Sequence, residues 1–371
     1  MIALRAPNLG GARFVRLLEH LGGIEQLVSA SNAELQRAGL AEDTIAALHS
    51  PDQALLESDL DWLSSPSHHL LTWGSELFPP LLRDIPSPPA ALYVDGDPDV
   101  LWQPQIAVIG SRNPTAGGKD NARDFAGELC RRGMTITSGL ASGIDSVAHA
   151  AALDAGKTTV AVMGTGLDRI YPSSSKDLAL RIRGQGVLVS EFPPGTGAKR
   201  SHFPSRNRII SGLSLGVLVI EAGLRSGTLI TARMAGIQGR DVFALPGSIH
   251  NPMAKGCHRL IRDGAKLVET ADEIMQELAP MAGQLAVELK KQLDSHDEEQ
   301  RSEPLEKKPE DPQLTGPEYR RVWSCLGFDP KPVDAIIEQS GLTAGAVSAM
   351  LMMLELRGKV EAHPGDAYSR K

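Results

Sequence analysis

The chain has 371 residues, 42% hydrophobic and 22% charged, with 38 Lys+Arg against 45 Asp+Glu and a net charge of -7. That composition is globular. No apolar run reaches the ~18 residues a membrane span needs, and "MIALRAPNLGG" lacks the long apolar core of a secretory signal. Cys130, Cys257 and Cys325 are odd in number and far apart, which suits neither a disulfide framework nor a zinc site, so a reducing cytoplasm is expected.

The length predicts two or three domains. Residues 1–58 read as short helices, with helical apolar spacing in "FVRLLEHL" and "DTIAALHS" and tight connections at Gly22-Gly23 and Gly39. This suggests a module of sterile-alpha-motif or helix-hairpin-helix type. Acids outnumber bases in it, so strong phosphate binding by this module alone is not expected.

Residues 59–280 alternate short apolar runs with helix-length segments. The strand candidates are "IAVIG", "TITSG", "TVAVMG", "VLVSE", "VLVIEA", "VFALPG" and "KLVET". Strands apolar throughout are buried on both faces, and the alternation predicts an α/β fold with an extended, doubly wound, mostly parallel Rossmann-like sheet. Such sheets bind ligands at the carboxyl ends of their strands. Residues 281–313, with nine acids, five bases and several prolines, read as a charged, solvated linker after a short helical start. Residues 314–371 predict helix, Gly-Leu-Thr turn, helix and wing, a winged-helix domain.

The strand-end loops hold the polar signals. "GSRNPTAGG" offers Gly110, Ser111 and Arg112; "SGLASGID" offers Ser138 and Gly139; "EAGLRSGTLITA" offers Ser226, Gly227 and Thr228. Each could receive an anion at a helix N-terminus, or could be no more than a tight turn and a helix cap. The first loop lacks G-x-G-x-x-G spacing and there is no GK[ST] loop, so neither a dinucleotide nor an ATP site is expected.

Charge is the sharper signal. "KRSHFPSRNRIISG" places Lys199, Arg200, His202, Arg206 and Arg208 within ten residues around Phe203, with no carboxylate in the segment. From Lys199 to Arg262 ten cations face two acids, a span of net +8 inside an acidic chain. That distribution suits a polyanion crossing the strand ends. Phe203 could stack on a base or be an ordinary core aromatic, and Arg206 and Arg208 could instead make helix-surface salt bridges. Asp145 and His149, four apart on one helix, could do acid-base chemistry or be a cap and a buried histidine. His68-His69, His202, His250 and His258 show no metal-ligand spacing. No cofactor is expected.

Together "IGSR", "SGLASGID", "GTGLDRIYP", "FPSRNRIISGL", "EAGLRSGTLITA" and "VFALPGS" resemble the DNA-processing protein A family (DprA, also called Smf) over nearly the whole chain. The resemblance implies a cytoplasmic, non-enzymatic protein that binds single-stranded DNA without strong sequence preference. It implies loading of the RecA recombinase, protection and processing of incoming DNA in natural transformation, and dimerisation through the Rossmann-like domain. The family's motifs map onto Arg112, onto Arg200 and Phe203, onto Arg206-Asn207-Arg208 as the R-N-R, and onto Ser226-Gly227-Thr228, with Lys199 beside them. Ser142, Ser173 and Ser175 stand where family members carry cations or amides, so contacts from those loops are in question.

A competing reading is an enzyme related to nucleoside monophosphate phosphoribohydrolases, whose loop has the form P-G-G-x-G-T-x-x-E. Here "AGLRSGTLIT" lacks Pro-Gly-Gly and puts Thr231 where the catalytic glutamate would be. A third reading, a nucleotide sensor regulating transcription, is opposed by the would-be recognition helix "AGAVSAMLMMLELRG", whose one basic residue is Arg357. Its Met-Leu face suits core packing or a protein partner.

Overall fold

A computed structural model describes residues 1–302, 317–356 and 359–370, in two compact units, Met1–Lys290 and Lys291–Lys371. The centre of the first is a nine-stranded sheet. Its strands are β1 (His68–Thr72), β2 (Ala91–Gly96), β3 (Gln105–Ile109), β4 (Thr135–Ser138), β5 (Thr159–Val162), β6 (Val187–Ser190), β7 (Gly216–Val219), β8 (Asp241–Ala244) and β9 (Lys266–Leu267), in the order β1-β2-β6-β5-β4-β3-β7-β8-β9. Strands β3 to β9 run parallel, and β2 pairs antiparallel with both β1 and β6.

All seven expected strands are present. The two antiparallel strands were not expected from the sequence, although "ALYVDG" is as apolar as its neighbours. Nothing in a single apolar run distinguishes parallel from antiparallel pairing; that is decided by where the chain returns to the sheet.

The apolar runs are continuous because both faces are covered. On β3, Ala107 and Ile109 pack into one core with Val217 and Val219 of β7. Ile106 and Val108 pack into the opposite core with Leu218, against Ala122, Ala126 and Leu129 of helix Ala116–Arg131. Two-sided burial of such side chains contributes ~1.5–3 kcal/mol each before the entropy of ordering is subtracted.

The N-terminal residues form five short helices around Leu17, Leu27, Leu35, Ile45 and Leu48, and a sixth, Gln53–Leu63, packs Trp62 against a core of the sheet. Ser31 and Glu34 make a reciprocal capping box at helix Asn32–Arg37. Arg5 fastens this module to the sheet domain: it pairs with the buried carboxylate of Asp59 and donates to the Pro194 carbonyl at 2.9 Å, in the chain that follows β6.

The charged stretch expected to be a linker is helical over 281–302, the continuation of helix Ala271–Ser302. The Glu, Lys and Gln that make it hydrophilic are good helix formers, as are the Leu and Ala between them. Residues 303–313 of that segment lie outside the described residues.

In the second unit, helices Pro317–Cys325, Val333–Ser340 and Ala344–Leu356 stand with a three-stranded antiparallel sheet of β10 (Lys331–Pro332), β11 (Val360–His363) and β12 (Ala367–Arg370), a winged-helix arrangement. Val347, Leu351 and Leu354 of its third helix are buried with Val322 and Ile336, whereas Met352 is exposed. Among the described residues no single helix is long and apolar enough to cross a membrane.

Candidate nucleic-acid interface

The chain leaves β3 in one direction through β4, β5 and β6, then returns to the other side of β3 as β7. At such a switch point the loops after neighbouring strands diverge and open a crevice at the carboxyl edge. Here the crevice is a cleft of about 740 Å³. Its walls come from the loop after β3 (Gly110, Ser111, Arg112), the segment after β6 (Arg200, Phe203, Asn207) and the loop after β7 (Arg225, Ser226, Gly227, Thr228).

The loops are held by one another, which leaves particular groups for a ligand. Thr228 Oγ1 donates to the Gly110 carbonyl at 2.9 Å and receives the Ser226 hydroxyl at 2.9 Å. Ser111 Oγ accepts from the Asn113 N–H at 3.1 Å. Gly143, at φ +89°, stands against the 111–112 peptide, where a Cβ would be 2.3 Å from the Ser111 carbonyl oxygen. A buried carboxylate, Glu221, accepts from Thr115 N at 2.9 Å and from Thr115 Oγ1 at 2.7 Å, anchoring the end of the Arg112 loop. The hydroxyls are thus committed to loop structure. Arg112, Arg200 and Arg225 are exposed, and among the described residues no carboxylate lies within ion-pair distance of any of them. The Asn207 side chain makes no hydrogen bond to the described residues.

Phe203 is half-buried, its ring against Gly164 and 5.3 Å from the ring of Tyr171, centroid to centroid. Both rings line the cleft, and Tyr171 is 49% exposed. An aromatic pair with one exposed and one half-buried ring, beside guanidinium groups without an ion-pair partner among the described residues, can accept a stacked base and its phosphate together.

Other expected contacts are placed elsewhere. Arg206 is 4% exposed and forms the floor of the cleft, donating to the carbonyls of Gly139, at 2.7 Å, and Val162. Burial, with a smaller push from Arg112, brings its pKa down to about 10, while Asp145 opposes the fall; the group stays cationic at neutral pH. Desolvation raises the Asp145 carboxyl above its ordinary range, against the pull of Arg206 and the N–H of Gly139. Arg208 does not line the cleft: it pairs with Glu191, a carboxylate eight residues upstream of Lys199 that the sheet returns to this helix. Ser138 is buried and donates to the Val108 carbonyl at 2.7 Å, because its strand runs through the middle of the sheet. Gly139 carries Arg206 and does not line the cleft, and Lys199 is exposed outside it.

The basic span is therefore divided. Arg200 and Arg225 face the cleft, Arg206 supports it, Arg208 and Arg259 pair with Glu191 and Asp263, and Arg240 donates to the Leu81 carbonyl. Of the serines at the family's cation positions, Ser142 and Ser173 are exposed, while Ser175 is buried and donates to the Leu140 carbonyl at 3.2 Å. Asp145 and His149 form no catalytic pair: His149 is buried, with Nδ1 2.7 Å from Thr159 Oγ1. Tyr171, Met253 and the cleft-facing role of Arg225 were missed in the sequence. Tyr171 lay inside a noted motif, but only the fold brings it against Phe203.

The family model for DNA recombination-mediator protein A matches residues 69–279, and that for the DprA winged helix domain matches 306–366. The chain is 42% identical over 332 residues to Protein Smf of Escherichia coli (strain K12), covering 89% of this chain and 85% of that one. The X-ray structure of DNA processing protein A from Streptococcus pneumoniae superposes with a TM-score of 0.67 at 36% identity, covering 74% of this chain and 95% of that one. DNA processing protein A from Helicobacter pylori, whose structure was described for its single-stranded DNA binding mode, gives a TM-score of 0.51 at 30% identity over 57% of this chain and 96% of its own. With the switch-point cleft, the flanking motifs and the winged helix in place, this chain belongs to the DNA recombination-mediator protein A (DprA/Smf) family of DNA-processing proteins.

Proposed function

We propose that the cleft binds single-stranded DNA without strong sequence preference. The observation that carries this reading is the set of three unpaired arginines, Arg112, Arg200 and Arg225, from three separate loops, beside the Phe203–Tyr171 pair. Guanidinium groups take successive phosphates, and an aromatic face accepts any base. Gly110, Ser111, Ser226, Gly227 and Thr228 shape the path, and Asn207 supplies an amide. The single-strand binding of the H. pylori relative supports the same reading.

On this strand the protein loads the RecA recombinase, in keeping with the family's description as a recombination mediator, and protects and processes incoming DNA in natural transformation. It acts in the cytoplasm as a homodimer formed through the Rossmann-like domain. The winged helix, with an apolar third helix and exposed Met352, meets a protein partner and does not read duplex sequence.

The cleft holds its ligand and does not cleave it. The Asp145 carboxyl, which lines the cleft, accepts from the Gly139 N–H, Glu221 accepts from Thr115, and Thr231 is no base. Titrating labelled oligo-dT by fluorescence anisotropy across a salt series tests binding: log affinity should fall by ~0.7 per phosphate contact for each unit of log salt. A salt-insensitive affinity, or release of free base from AMP or CMP, contradicts the reading. RecA-dependent ATP hydrolysis on strands coated with single-strand binding protein tests loading.

A further inference from the structure

We propose that the N-terminal helical module carries a second, separate contact for the DNA backbone, made by Arg13, Arg16 and Arg37. The sequence of this module is acidic on balance, but the fold sorts the signs. Arg13, Arg16 and His20 lie at i, i+3 and i+7 of helix Gly11–Leu21 and so share a face. Arg37 reaches the same place from the last turn of helix Asn32–Arg37. Together they border a hollow of about 400 Å³ whose remaining lining is Leu17 and Ala38.

The remaining arginine of the first 58 residues, Arg5, is spent on Asp59. Among the described residues none of the three in the hollow has a carboxylate within ion-pair distance. Their stems are pre-positioned. Arg13 donates to the Gly39 carbonyl, Arg16 Nε to the Ala12 carbonyl at 3.2 Å, and Arg37 Nε to the Ala33 carbonyl at 3.2 Å, which leaves the Nη donors of Arg16 and Arg37 for a ligand. Glu34, its carboxylate held by Ser31 in the capping box, acts on Arg37 only weakly through space, so the three guanidinium groups still repel one another, a cost that a bound polyanion removes.

The lining sets the ligand class. It contains no Phe, Tyr or Trp, its one ring is the exposed imidazole of His20, and its one large apolar residue, Leu17, is buried in the helical core. Among the described residues His20 has no second ring beside it, in contrast to the cleft with its Phe203–Tyr171 pair. With three arginines to one imidazole, the hollow favours phosphates over bases. Its cations are spread over two helices, with Arg16 and Arg37 exposed, a layout that tracks a chain of phosphates better than it encloses one free phosphate ion. A site of this kind takes single strands and duplex alike.

For its ligand the inference rests on the DNA-binding reading, and the full-length protein separates the two. Arg16→Gln/Arg37→Gln should weaken oligo-dT binding and lower the log–log salt slope by ~1.4, two contacts at ~0.7 each. It should weaken binding of a duplex of equal length as well. Arg16→Lys/Arg37→Lys should keep the slope, and Arg16→Gln alone, whose stem bond is within its own helix, should lower it by ~0.7 with an unchanged unfolding temperature. Unaltered affinity and slope in the glutamine variants, with wild type binding normally, overturns this inference and leaves the cleft reading standing. A loss confined to oligo-dT also overturns it. A wild-type protein that binds no DNA overturns both.

Discussion

The guanidinium of Arg206 sits directly on Gly139: Nη1 donates to the Gly139 carbonyl at 2.7 Å, and a Cβ on residue 139 would stand 2.5 Å from it. The middle arginine of the cleft's basic segment is thus built into the protein, with Asp145 as its buried counter-charge.

Gly139→Ala puts a methyl group into the space of Arg206. The expected cost is ~1–3 kcal/mol, as for overpacking elsewhere, measured as a lower urea midpoint with an unchanged m-value. Binding of oligo-dT should weaken too, because the floor of the cleft shifts. Wild-type stability in this variant would show that Arg206 has freedom the packing denies.

Arg206→Leu removes the cation and leaves Asp145 buried without it. A loss of ~1–3 kcal/mol is expected, because the buried carbonyls of Gly139 and Val162 also lose their donor, more than for an ordinary surface arginine. Asp145→Asn added to it should recover part of the loss, since the amide oxygen can still accept from Gly139 N. A double-mutant cycle by chemical denaturation gives the coupling; additivity of the two losses would contradict an electrostatic interaction between the two groups.

Arg112→Ala, Arg200→Ala and Arg225→Ala should each lower the oligo-dT salt slope by ~0.7 with little change in unfolding temperature. Phe203→Ala should cost ~1–3 kcal/mol of binding with the slope nearly kept. Arg208→Gln should leave the slope as in wild type, because Arg208 is bound to Glu191 and does not line the cleft. A slope change for Arg208 equal to that for Arg112 would contradict this division of labour.

His149 gives the protein an acid limb. Its Nδ1 faces Thr159 Oγ1, which donates to the Ile136 carbonyl at 2.6 Å, so the ring keeps its proton on Nδ1 and Nε2 is buried without a partner. Desolvation, with a smaller contribution from Arg206, brings the pKa down from 6.5 to about 3. The unfolded chain therefore binds a proton that the folded chain refuses. The stability from this group is complete above pH ~6.5 and is lost as pH falls toward ~3, by up to ~1.4 kcal/mol per pH unit. Asp145, whose folded pKa is raised, acts with the opposite sign: it favours the folded state toward acid pH, and that contribution is lost as pH rises. Between pH 6.5 and 4.5 the unfolding temperature of wild type should fall more steeply than that of His149→Gln. Parallel profiles would show that the histidine is not the group responsible.

The parts legible in the sequence are those set by local chemistry. Runs such as "IAVIG" and "VLVIEA" announce strands covered on both faces, and the glycine-bearing loops after them mark the carboxyl edge. Arg112 and Ser226-Gly227-Thr228 stand out in those loops, Arg200 and Phe203 in the cationic run before "RNR", and all line the cleft. Illegible were the positions whose partners lie far away in the chain. Arg206 and Arg208 are neighbours in sequence, yet one is sunk between Gly139 and Val162 and the other is held by Glu191. Helical spacing of two residues turns adjacent cations to different sides.

The sequence by itself determined the Rossmann-like sheet, the winged helix, the family and an unusual density of arginine at the strand ends, because periodicity and loop composition are local properties of the chain. Which of those arginines stay free, that Tyr171 meets Phe203, and that Arg13, Arg16 and Arg37 gather on one side of an acidic module were decided only in three dimensions. A side chain's charge is written in the sequence, but its burial and its counter-ion come from residues tens of positions away.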